Sequence, residues 1–131
     1  MPGEHEPHQR ILMAWPQRPD NWRNNAGPAQ AAFAAVIEAI RPATAVTVCV
    51  PEQLCASARA LLHGDISLLE IPYDDCWMRD IGPSYLTNQQ GELRGVDWCF
   101  NAWGGELDGL YQNWQRDDAF AGRWQIGRAH V

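Results

Sequence analysis

Prolines cut this chain into short pieces, and that punctuation constrains the fold more than any other feature. Pro16, Pro28, Pro42, Pro51, Pro72 and Pro83 each fix φ and withdraw a backbone donor, so regular elements must begin or end at them. Residues 11–15, Ile-Leu-Met-Ala-Trp, form an apolar run closed by Pro16 and read as a buried strand. Residues 16–27 are a polar loop. Pro28 then opens an Ala-rich helix in which Phe33, Val36, Ile37 and Ile40 recur at helical spacing until Pro42. The β-branched residues 44–50 predict a strand ended by Pro51. Residues 52–63 place Leu54, Ala58, Leu61 and Leu62 on one helical face and stop at His63-Gly64. Residues 66–72 predict a third strand, and residues 83–87 and 93–100 predict a hairpin around a turn-rich spacer. Strands alternating with helices place the chain in the α/β or α+β class with a mixed sheet.

At 131 residues the chain holds one core. Ten basic residues against sixteen acidic ones, a net charge of -6, give the wrong sign for a duplex-binding protein, so no nucleic acid partner is expected. No apolar run approaches the length of a bilayer span. The acidic, polar start lacks the basic and apolar regions of a secretory signal, and a cytoplasmic location is expected. Every basic residue is Arg, which suits fixed ion pairs but assigns no function. Cys49, Cys55, Cys76 and Cys99 show no metal or redox spacing and are expected to be buried thiols.

Chemistry concentrates in residues 74–83. Asp74, Asp75 and Asp80 with Trp77 between them suit a planar guanidinium, whose N–H fork pairs with carboxylates and whose face tolerates an indole. Two other readings stay open here: Asp74, Asp75 and Asp80 sharing a divalent metal, or a solvated acidic loop in which Arg79 pairs with a neighbour. In residues 95–105, Trp98, Phe100 and Trp103 before a Gly pair form either an aromatic wall for a ligand or a core strand. His5 and His8 beside Glu4 and Glu6 read as a solvated tail or as metal ligands. Residues 125–131 can be encoded in frame by an adapter used in short-read sequencing, and are expected to be a non-native tail.

The opening octapeptide, residues 13–23, residues 74–83 and residues 95–105 occur together, in an order that resembles the N-terminal part of the agmatine deiminase family, over residues 1–124. The family belongs to the guanidine-modifying enzymes, close to bacterial peptidylarginine deiminases. The resemblance implies a partial pentein-type α/β propeller holding about the first one to two ββαβ modules. It implies hydrolysis of agmatine to N-carbamoylputrescine and ammonia in putrescine biosynthesis, through a Cys-thiouronium intermediate and with no metal or organic cofactor. Asp80 matches the carboxylate that grips the guanidinium, and Trp77 an aromatic beside the substrate; Asp75 and Trp103 are pocket neighbours. The family's nucleophilic Cys and its His have no matching segment, so the chain itself is expected to be inactive. A homo-oligomer is expected of the full-length form. Uncovered apolar edges would favour aggregation or partial folding of the chain alone. The competing readings are a peptidylarginine deiminase, a non-catalytic guanidine or polyamine-binding module, and a truncated relic.

Overall fold

The computed structural model describes Gly3 and residues 5–128, with side chains up to Gln125. Residues 129–131 of the expected non-native tail lie outside the described residues. The chain divides into two compact units, residues 8–78 and residues 79 onward, the latter with the first seven residues.

The 8–78 unit is built on a three-stranded parallel sheet in the order β1-β2-β3. Its strands are β1 (Ile11–Ala14), β2 (Val46–Val50) and β3 (Ser67–Glu70), with Ile11 opposite Val46 and Thr47 opposite Ser67. Helix α1 (Gly27–Ile40) connects the first pair and α2 (Cys55–Leu61) the second, the crossovers that parallel pairing requires. As the central strand, β2 is buried at every residue. Val46, Val48 and Val50 share one face and pack with Trp15, Ile37, Ala58, Leu62 and Ile66. Thr47 and Cys49 point the other way by the two-residue period of a strand, and Arg10 Nη1 donates to Thr47 Oγ1 at 2.8 Å.

Several boundaries differ from the expectations, each for a local reason. The strand expected from residue 44 starts at Val46, because the Thr44 N–H donates to the Ile40 carbonyl and finishes the helix. On α1, Phe33, Ile37 and Ile40 reach the core, whereas Val36 is exposed on the flank. Leu62 leaves the helix in an extended conformation and is buried, which turns Leu61 outward to 55% exposure. Of the thiols expected to be buried, Cys49 and Cys76 are, Cys55 is half-buried and Cys99 is exposed. Cys99 lies beyond the end of the strand that was expected to carry it inward.

Burial pushes the Cys49 thiol from 9.0 up to about 12 and raises the Tyr73 phenol as well. Both groups stay neutral in the fold and ionise sooner in the unfolded chain. Their stabilisation is complete below pH 9 and is lost as pH rises toward the folded value. Stability is therefore expected to fall between pH 9.0 and about 12, with Cys49 contributing a slope of about 1.4 kcal/mol per pH unit. Urea unfolding from pH 7 to 11 checks this, and Cys49→Ala should flatten the profile.

The unit beginning at residue 79 carries an antiparallel pair, β4 (Ser84–Thr87) and β5 (Leu93–Val96), with Ser84 opposite Val96. Asn88 Oδ1 accepts from the Gln90 and Glu92 N–H groups at 3.0 and 2.9 Å and closes the turn, with Gly91 in the left-handed region at φ 78°. Among the described residues the strands pair as these two sheets, parallel and antiparallel, in place of the one mixed sheet expected from the sequence. Strand β5 also ends at Val96 instead of residue 100, because the Phe100 N–H donates to Asp118 Oδ1 and not to a ladder. Three short helices follow, α4 (Gly105–Asp108), α5 (Gln115–Asp118) and α6 (Phe120–Arg128). Trp124 Nε1 donates to the Tyr85 hydroxyl and joins α6 to β4. Among the described residues no helix is long and apolar enough to cross a membrane.

Candidate functional site

Residues 74–83 contain one helical turn, α3 (Met78–Ile81), and the unit boundary falls between Met78 and Arg79. The sequence-predicted site residues therefore form two pairs: Asp75 with Trp77 in the first unit, and Asp80 with Trp103 in the second.

Asp75 is completely buried. Its Oδ1 accepts from Trp22 Nε1 at 2.9 Å and from the Cys76 N–H at 2.8 Å. Its Oδ2 accepts from Asn21 Nδ2 and from Trp77 Nε1, the latter at 2.8 Å. The indoles of Trp22 and Trp77 stack with centroids 5.8 Å apart and planes inclined by 29°. One carboxyl group thus binds the loop after β1 to the loop after β3, and fixes the plane of Trp77 through its N–H. Tyr73 secures the same loop from the other side, its hydroxyl 2.6 Å from the Trp15 carbonyl and 3.2 Å from that of Cys49. Asp75 is saturated by protein donors, which makes it a positioning group in this unit. Asn21 and Trp22 are the partners that sequence reasoning missed. They lie 54 and 53 positions from Asp75 in a loop whose composition reads only as polar.

Asp80 is exposed, and its Oδ1 accepts from Trp103 Nε1 at 3.2 Å. Trp103 is itself 50% exposed. Its ring meets Phe100 edge-on at 5.1 Å and Tyr111 edge-on at 6.4 Å. The backbone there is strained, with Ala102 and Trp103 in the left-handed region at φ 54° and 66°, at a cost of about 1 kcal/mol per residue. Gly104 makes the following turn feasible, since a Cβ at that position would sit 2.3 Å from the Asp108 carbonyl carbon. Of the aromatic run, Phe100 is buried, while Trp98 and Trp103 face outward and Trp98 Nε1 donates to Ser84 Oγ at 3.0 Å. The run is neither a core strand nor a continuous wall.

Among the described residues no three of His, Cys, Asp and Glu come together as ligands for a metal ion. The ion shared by Asp74, Asp75 and Asp80 does not form, because the Asp75 oxygens face two indoles, an amide and a backbone N–H. A hollow of about 260 Å³ beside Trp22 is lined by Trp22, Arg23, Pro28 and Ala29, and that lining offers a cation no carboxylate. Asp80, by contrast, is an exposed carboxylate whose side chain accepts from the Trp103 indole N–H.

The agmatine deiminase of Ectopseudomonas mendocina is 57% identical to this chain over 122 residues, covering 92% of the chain and 33% of that protein. That of Stutzerimonas stutzeri is 55% identical over the same length and coverage. The chain spans about a third of the length of the curated relatives it matches. Among solved structures, the agmatine deiminase of Enterococcus faecalis superposes with a TM-score of 0.93 at 46% identity, covering all of this chain and 36% of that one. The agmatine deiminase of C. jejuni, at 16% identity and a TM-score of 0.67, shares the fold. The pentein-type α/β architecture expected from the resemblance is therefore present, over about a third of those chains. The family model described as Porphyromonas-type peptidyl-arginine deiminase matches residues 1–130. A match that runs nearly from end to end takes in both units and all four predicted site residues: the chain belongs to the Porphyromonas-type peptidyl-arginine deiminase family.

Proposed function

We propose that this chain supplies the guanidinium-gripping side of an agmatine deiminase, a hydrolase of carbon–nitrogen bonds that converts agmatine to N-carbamoylputrescine and ammonia. In this reading residues 1–124 are the N-terminal portion of a propeller domain and residues 125–131 a non-native tail. The reaction takes place in the cytoplasm, on a small-molecule substrate, in a homo-oligomer when the protein is whole. Asp80 holds the guanidinium nitrogens, Trp77 and Trp103 are aromatic neighbours of the substrate, and Asp75 keeps Trp77 in place.

The observation that carries the reading is the exposed Asp80 carboxyl group, oriented by an indole N–H, in a chain whose agmatine deiminase relatives reach 57% identity. A guanidinium is a poor electrophile, and carboxylates that hold it in line with a nucleophile lower the cost of attack. The attacking thiolate and the proton-transferring His have no counterpart in this chain. Cys49 is held neutral by burial, the reverse of what a nucleophile needs, and Cys76 is buried.

Calorimetry of the 131-residue chain with agmatine tests this directly. Binding without ammonia release is expected, weakened about 10- to 100-fold in Asp80→Ala by loss of a charge-assisted pair. Turnover that depends on any of Cys49, Cys55, Cys76 or Cys99 would overturn the inactive reading, and tighter binding of an arginyl peptide would move the substrate from agmatine to protein.

A further inference from the structure

The slot that holds Trp103 is anchored from behind by a single turn of helix. Phe100 and Tyr111 flank the indole, both edge-on. Phe100 is tied to α5 through its N–H, which donates to Asp118 Oδ1 at 2.7 Å. Tyr111 is tied to the same turn through its hydroxyl, which donates to Oδ2 of the buried Asp117. The Leu110 N–H donates to the Ala102 carbonyl at 2.9 Å and closes the loop over the strained residues. Consecutive aspartates of α5 thus fix both walls, and the indole N–H leaves the slot toward Asp80.

We propose that Tyr111 and Asp117 are positioning residues for the Asp80 carboxylate, acting through Trp103. The proposal rests on the reading of Asp80 as the guanidinium grip. A carboxylate offers about four lone-pair sites, and a planar fork takes one on each oxygen. The Trp103 N–H occupies a further site on Oδ1, so it sets the carboxylate plane and leaves the fork its two acceptors. An exposed Asp without such a tether would lose rotamer freedom each time it bound. The Tyr111–Asp117 bond moves that ordering from the binding step into the fold. Neither Tyr111 nor Asp117 lies in a motif that the sequence marks.

Tyr111→Phe tests this, since it keeps the ring contact with Trp103 and removes only the hydroxyl. In the 131-residue chain the agmatine Kd should rise about 3- to 10-fold. The indole N–H resonance of Trp103, assigned by its loss in Trp103→Phe, should move toward its position in Asp80→Asn. Asp117→Asn retains an acceptor for the hydroxyl and should move both readouts in the same direction by less. If Tyr111→Phe lowers Tm while the Trp103 resonance and the Kd stay fixed, the bond is structural only and the proposal falls. If the wild-type chain does not bind agmatine, the reading of Asp80 fails, while the resonance still decides whether Tyr111 orients the indole.

Discussion

Asp75→Ala is expected to destabilise the 8–78 unit by about 3–4 kcal/mol, measured by urea unfolding. The replacement strips the acceptor from two indole N–H groups, an amide and a backbone N–H. Buried donors left without partners cost about 1–3 kcal/mol each, and water admitted to the gap recovers part of the loss. The stack of Trp22 on Trp77 should loosen too, with a red shift in tryptophan emission as both rings gain solvent. Asp75→Asn keeps one oxygen but sets an amide N–H against a donor, so a loss of about 2 kcal/mol is expected. A change below 1 kcal/mol in Asp75→Ala would mean that the two loops are held by packing alone.

The second large effect is expected at Gly104. Its φ of -168° is open to an L-residue, so φ is not the obstacle; space is. A Cβ would lie 2.3 Å from the Asp108 carbonyl carbon, 2.5 Å from its oxygen and 2.6 Å from the Gly109 nitrogen. All three are backbone atoms that cannot swing aside. Gly104→Ala is expected to cost about 2–3 kcal/mol, and to displace the Trp103 indole from Asp80 as the turn opens. Gly64→Ala serves as the control, because nothing lies within 4 Å of its added methyl. Equal stability of the two variants would show that the turn yields.

The elements that the sequence made legible are those whose signals are local. Pro28 and the spacing of Phe33, Ile37 and Ile40 define α1, and the β-branched run before Pro51 defines β2. The hairpin followed from the Asn88–Gly91 turn chemistry. What could not be read were long-range exchanges of partner. Phe100 leaves its strand because Asp118 takes its N–H, and Asp75 is enclosed because Asn21 and Trp22 reach it from the loop after β1. The candidate site divides the same way. Asp80, Trp77, Asp75 and Trp103 were selected by residue type and family likeness, but composition gives an exposed and a buried aspartate the same standing. Only the fold separates Asp80, open to solvent, from Asp75, enclosed by donors.

The shared acceptor at Asp75 also governs how such a sequence can drift. Four donors converge on two oxygens, and two of those donors come from a loop more than fifty positions upstream. Exchange of Asn21, Trp22 or Trp77 alone strands part of the carboxyl group, and exchange of Asp75 alone strands all of them. Substitutions at these positions therefore succeed only in concert, as when an apolar residue replaces the acid while the indoles give way to rings without N–H groups. Lineages that keep the two loops joined must keep the whole set or replace it at once.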